Sequence, residues 1–256
     1  MEKIMKSRNV SPESWLTARK KLLDKENELM RLRDQLLAER RELPRVRVTK
    51  EYIFDSPEGE VTLADLFGSR SQLIINHFMF GPTWEEGCPG CSLAADHIGG
   101  ALIHLEHHDV SYAAVSRAPF RKIAAFKKRM GWGFNWVSSF GRDFNYDFHV
   151  SFTREELSKG EAWYNFALQK IDSEELPGMS AFFRDEDGSI FHTYSVYGRG
   201  GEELVGANML LDLTPLGRNE NGPDQDLRNW PRLHDQYLEG SIASSCCSMG
   251  KGGACH

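Results

Sequence analysis

The chain has 256 residues, 40% hydrophobic and 27% charged, which is enough apolar material for a buried core and excludes disorder throughout. Its net charge is −6 and its pI about 5.9, so composition gives no electrostatic reason to bind nucleic acid or an anionic membrane. No apolar run approaches the ~20 residues of a membrane span, and the first residues hold no apolar stretch of the secretory-signal kind, so the chain is expected in the cytoplasm.

Residues 11–43 read as one long helix. Ser11 suits its cap, Pro12 its first position and Glu13 its positive end. Trp15, Leu22, Leu29, Leu36 and Leu43 recur every seven residues, with Leu16, Leu23, Met30 and Leu37 beside them. Such a helix, ~46 Å long, either packs along its own domain or pairs with a second copy of the chain. Lys25 lies within the seam, and Pro44 ends the helix.

Past residue 46 the apolar period changes. Strands are expected over 52–54 and 61–63 around a Ser56-Pro57-Glu58-Gly59 turn, and an apolar strand over 73–80 has the character of one covered on both faces. A helix should run from Cys91 towards His108, weakened at Gly99-Gly100. A strand over 110–116 and a basic helix over 120–130 follow. This β-α-β-α order implies parallel pairing.

Residues 132–150 are aromatic, with a strand expected over 134–138, and too apolar for a solvated linker. They either cover the core or wall a site. Thr153 and Glu156 have the spacing of a capping box. Strands over 179–184 and 189–197 flank Asp187-Gly188, a strong hairpin signal. A last helix is expected over 202–211. The chain thus divides into a long amphipathic helix (11–44), a globular domain (45–213) and a polar extension (214–256) ending in a Cys-rich tail.

The five cysteines are Cys88, Cys91, Cys246, Cys247 and Cys255, an odd and clustered set that does not form a disulfide framework. Cys88-Pro89-Gly90-Cys91 follows a strand and opens a helix, an order that lowers a thiol pKa and lets two sulfurs meet within one turn. Pro89 restricts the connection and Gly90 relaxes it. Cys88, nearer the exposed start, is the expected attacking thiol, and Cys91 the resolving one. The same spacing is half a zinc site, which would need two further ligands from His77, His97, His104, His107 and His108.

Several longer motifs carry a family resemblance. Residues 54–92 resemble the entry of thioredoxin-fold proteins of the peroxiredoxin and thioredoxin-related group. WEEGCPGCS, AVSRAP, MGWGFNWVSS, DFNYDFHVSFT, FFRDEDGSIFHTYSVYGRG and LDLTPLGR resemble, more closely, a bacterial family of predicted thioredoxin-like dithiol–disulfide oxidoreductases with no established physiological role. The resemblance covers roughly residues 11–218. It implies an α/β thioredoxin-like fold, a central mixed sheet flanked by helices, and a redox role with no cofactor beyond the cysteine pair. The expected partner is a protein or small-molecule disulfide or thiol.

The departures are specific. Trp84 stands four residues before the first cysteine, where thioredoxins place it adjacent. The thioredoxin cis-proline slot before the hairpin aligns with Met179, and Pro177 lies two residues early, so either an irregular loop brings Pro177 in or Met179 replaces it. The peroxiredoxin Pro-x-x-x-Thr-x-x-Cys pattern is absent, so peroxidase activity is not implied. At the C-terminus, Cys246, Cys247, Cys255 and His256 form a set that could hold Zn or Cu, serve as a second dithiol, or do neither. The alternative to an oxidoreductase is a non-catalytic module of the same fold that binds such a metal or a protein partner.

Overall fold

The computed structural model describes residues 9–218 and 231–237; Cys246, Cys247, Cys255 and His256 lie outside them. Ten strands and seven α-helices are described. The core of the larger sheet runs β6-β5-β4-β9-β10, built from β4 (Gln72–His77), β5 (Val110–Ser116), β6 (Asn135–Ser138), β9 (Gly178–Arg184) and β10 (Ile190–Tyr197). β4, β5 and β6 are parallel, β9 runs antiparallel to β4, and β10 runs antiparallel to β9. This is the thioredoxin-like order. β1 (Val46–Arg47) extends the edge at β10, and the hairpin of β2 (Ile53–Ser56) and β3 (Gly59–Thr62) extends the edge at β6.

The parallel strands are covered on both faces, as their near-continuous apolar character required. Period-2 alternation sorts their side chains. Leu73, Ile75, Ala113, Val115, Val137 and Phe182 enter one core. Tyr112, Ala114 and Trp136 enter the other, with Phe78, Phe80 and Cys91. The second core lies under α2 (Pro89–Ala95), α3 (Leu102–His107) and α4 (Phe120–Arg129). Residues 96–101 separate α2 from α3 at the Gly99-Gly100 weakness.

The aromatic segment divides between the two cores, and its later part covers the first. Phe144, in α5 (Phe144–Asp147), and Phe148 are buried against that face, and Phe144 packs edge-on to Phe54 at 4.9 Å. The later part of the segment is thus a cover on the face opposite the cysteines, while Trp132, Phe134 and Trp136 belong to the core that holds Cys91. Beyond α6 (Arg154–Lys159), whose Thr153–Glu156 capping box forms as expected, lies a hairpin with no strong sequence signal: β7 (Glu161–Tyr164) and β8 (Ala167–Lys170). Its turn places Asn165 and Phe166 at positive φ, where Asn-Gly would be the recognisable pair. The single helix expected over 202–211 is instead a 3-10 segment, Gly198–Leu204, followed by α7 (Gly206–Leu211).

α1 (Pro12–Arg41) forms as read, with the Ser11 hydroxyl accepting from the Ser14 N–H at 3.3 Å. It buries none of its residues, so it does not pack along its own domain. Arg40 lies over the Tyr194 ring and Arg33 pairs with Glu203, while Trp15, Leu22, Leu29 and Leu36 stay exposed.

His77 closes β4 on the first-core face. Its ring stacks on Phe144 and Phe148, and Nε2 lies 2.8 Å from Ser180 Oγ. Ser180 continues to Ser195 at 2.8 Å, and Ser195 to His192 at 2.7 Å. Burial, with the nearby His192, pushes the His77 pKa down to about 3 from an ordinary 6.5. The native state therefore binds fewer protons than the unfolded chain between those values, and stability is lost as pH falls below 6.5. Denaturant unfolding at pH 6.5 and pH 5 is expected to show a loss of up to ~2 kcal/mol from this group. His77→Gln is expected to flatten that slope; an unchanged slope would remove His77 as its source.

Candidate active site

The loop from Phe78 to Cys88 is fastened to the sheet and to α4. The Cys88 N–H donates to the Met79 carbonyl at 3.0 Å. Lys122 Nζ donates to the Trp84 carbonyl and to Glu85, each at 2.9 Å, and Arg129 pairs with Glu86. Trp84 folds back over Gly81, where an added Cβ would meet its indole Nε1 at 3.0 Å, and its ring packs on the second core. Trp84 thus supports the loop that carries the cysteines from a position four residues earlier.

Cys88 is the N-cap of α2, Pro89 its first residue, and Gly90 lies within its first turn. Pro suits that position because its missing N–H would have no partner there. Gly90 is therefore helical and relaxes no loop. Gly87 is the glycine the site needs: a Cβ there would lie 2.6 Å from Phe78 Cε1 and 2.8 Å from Phe126 Cε1.

Both thiols are free; Cys91 is buried and Cys88 half-buried. The Cys91 thiol donates to Cys88, and the N–H groups of Cys91 and Gly90 donate to the same sulfur. Against the opposing effect of burial, these bonds lower the Cys88 pKa to about 7 from an ordinary 9.0. The Cys91 pKa moves up, through its hydrogen bond to Cys88, through burial, and through the negative charges of Cys88 and Glu175. The pair is thus asymmetric: an accessible thiolate over a buried, protonated thiol.

Glu175 and its partners were not legible in the sequence. Its carboxylate is 1% exposed and accepts from Arg117 Nε at 2.6 Å and Ser151 Oγ at 2.7 Å. Burial raises its pKa, against the pull of Arg117. Arg117 also donates to the Tyr146 hydroxyl, and the Ser151 N–H donates to the Asn145 carbonyl, so the aromatic segment borders this cluster. Two residues on, the Pro177 carbonyl accepts from the Tyr164 hydroxyl at 2.7 Å. No cis peptide bond occurs among the described residues. Met179, on β9 opposite Asn76, packs on the core that holds both cysteines.

The histidines do not join them. His77 faces the other core, and both ring nitrogens of His97 are engaged, Nδ1 with the Leu93 carbonyl and Nε2 with the Ala207 N–H. Among the described residues, no three or more His, Cys, Asp or Glu side chains gather as a metal site. No described helix is long and apolar enough to cross a membrane.

Sheet order and cysteine placement define a protein of thioredoxin-like fold with a free Cys-x-x-Cys pair at the start of a helix. The chain belongs to the family described as bacterial protein of unknown function (DUF899), whose sequence pattern matches residues 5–237. No protein of curated function matches it in sequence. Solved structures similar to it include the peroxidoxin BcpB of Mycobacterium tuberculosis, at 15% identity and TM-score 0.42 over 64% of this chain and 94% of that one. Peroxiredoxin Q of Xanthomonas campestris is similar at 13% identity and TM-score 0.42, over 64% of this chain and 91% of that one. A putative thiol:disulfide interchange protein DsbE of Chlorobium tepidum is similar at 12% identity and TM-score 0.41, over 68% and 99%.

The two glycines of the loop should separate on substitution. Gly87→Ala is expected to cost ~1–3 kcal/mol through overpacking on Phe78 and Phe126. Gly90→Ala should be neutral or stabilising by up to ~1 kcal/mol, since its Cβ meets only Cys88 Sγ at 3.8 Å. Urea denaturation of both variants checks this, and equal costs would contradict the packing described.

Proposed function

We propose that the chain is a thiol–disulfide oxidoreductase acting on a protein or small-molecule disulfide. The observation that carries this reading is the placement of the pair, a half-buried Cys88 at the N-cap of α2 with a buried Cys91 one turn in, an arrangement that favours the thiolate at the first position. Only the thiolate is a nucleophile. Cys88 attacks one sulfur of the substrate disulfide, the substrate S–S bond breaks, and the departing sulfur takes a proton. Cys91 then gives up its proton and attacks Cys88 Sγ in the mixed disulfide. The Cys88–Cys91 disulfide forms, the second substrate sulfur leaves, and two electrons have passed to the substrate.

Arg117 and Glu175 are positioning residues in this scheme. A buried guanidinium needs its carboxylate, and the negative charge of Glu175 favours the protonated form of Cys91 until the second step. No metal enters the scheme. The direction of flow in a cell follows from the donor of the compartment, which we place in the cytosol.

Cys91→Ser incubated with a model disulfide should accumulate a mixed disulfide on Cys88, seen as a mass increase on the peptide containing that residue. Cys88→Ser should form none and lose turnover altogether. Full exchange activity in Cys88→Ser would overturn the reading.

A further inference from the structure

α1 is the longest described element, and its own domain uses it least. Its 30 residues bury no side chain. Arg33 and Glu203, which help fasten it to the domain, are each 57% exposed in their side chains, and such a pair contributes little. Eight apolar side chains of the helix are instead 43–67% exposed. With ~100 Å² uncovered on each, they total on the order of 800 Å² per copy, above the ~300–600 Å² of the largest apolar patch on an ordinary monomer.

Five of the eight line one stripe. Trp15, Leu22, Leu29 and Leu36 recur every seven residues, and Leu32 stands three after Leu29. With Ala18, three after Trp15, this is the alternating three-and-four spacing by which two helices interlock side chains along a shared seam. Lys25 is the one charged position in the seam between Trp15 and Leu36, and a single polar seam residue fixes register at some cost in stability. The helix carries eight basic and six acidic residues, interspersed. Lys21, Glu26, Glu28 and Arg33 flank the seam, so a second copy can set unlike charges across it. A lipid surface would be met by a polar face of basic residues alone. Paired along their length, two such helices bury on the order of 1,600 Å², the size of a standard specific interface.

We propose that α1 pairs with α1 of a second copy of this chain, so that the protein is a homodimer joined by a two-helix coiled coil. The pairing is independent of the oxidoreductase reading, because no residue of α1 enters either core cluster and each copy keeps its own cysteine pair.

The test uses the full chain in reducing buffer, so that no disulfide joins two copies. Light scattering on a sizing column should give twice the chain mass of 29.1 kDa. Leu29→Glu with Leu36→Glu, which places like charges in the seam, should weaken association about 100-fold and give the monomer mass. Because α1 buries nothing in its own domain, this variant should keep the parent's pH profile of Cys88 alkylation, which shows that the domain is folded. Leu29→Met with Leu36→Met keeps the seam apolar and should stay dimeric. A monomeric parent chain, or a dimer that survives the glutamates, would overturn the proposal. So would a monomer that sediments with vesicles of phosphatidylcholine and phosphatidylglycerol and is released by the glutamates, since a membrane would then cover the helix.

Discussion

The placement of the two sulfurs depends on how tightly the loop before them is bound to the sheet. One backbone hydrogen bond, from the Cys88 N–H to the Met79 carbonyl, turns the chain at the end of β4 and aims it into α2. Gly87 makes that turn possible, because two aromatic edges occupy the space its side chain would need. The loop's ion pairs, Lys122 with Glu85 and Arg129 with Glu86, are exposed and contribute little energy individually. They select one loop conformation, while the burial of Phe78, Phe80, Phe126 and Trp136 beneath supplies the stability.

The electrostatics of the pair follow from that placement. No lysine or histidine lowers the Cys88 pKa; the donors are its neighbour's thiol and two backbone N–H groups. Such donors are fixed by the covalent path of the helix and need no further side chain to be ordered. Glu175 acts in the opposite sense on Cys91 and is itself held by Arg117 and Ser151. Two sulfurs within one turn thereby acquire opposite protonation preferences.

Much of this was legible in the residues. The strand–loop–cysteine–helix order, the β-α-β-α alternation, the Asp187-Gly188 hairpin and the Thr153 capping box are local patterns that tertiary packing did not override. The Gly99-Gly100 break fell where propensity puts it. What was not legible was non-local. Glu175 reads like any acidic loop residue until the fold buries it against Arg117, which directly follows β5 and lies 58 residues away in the chain. Leu233 is one of a few scattered apolar residues in a polar extension, with no periodicity to mark it as part of the second core. The β7–β8 hairpin hides behind Asn-Phe in a turn that usually signals itself with glycine, and the seam of α1 could not by itself show that its own domain leaves it uncovered.

The central claim is that the fold makes Cys88 a thiolate near neutral pH while Cys91 stays protonated. The rate of alkylation of the reduced full-length protein by iodoacetamide, followed against pH on the peptide containing Cys88 and Cys91, tests it most directly. The account predicts a single modification, on Cys88, rising with a midpoint about 7, with Cys91 unreactive across that range. A midpoint at the ordinary thiol value near 9, or preferential modification of Cys91, would contradict it.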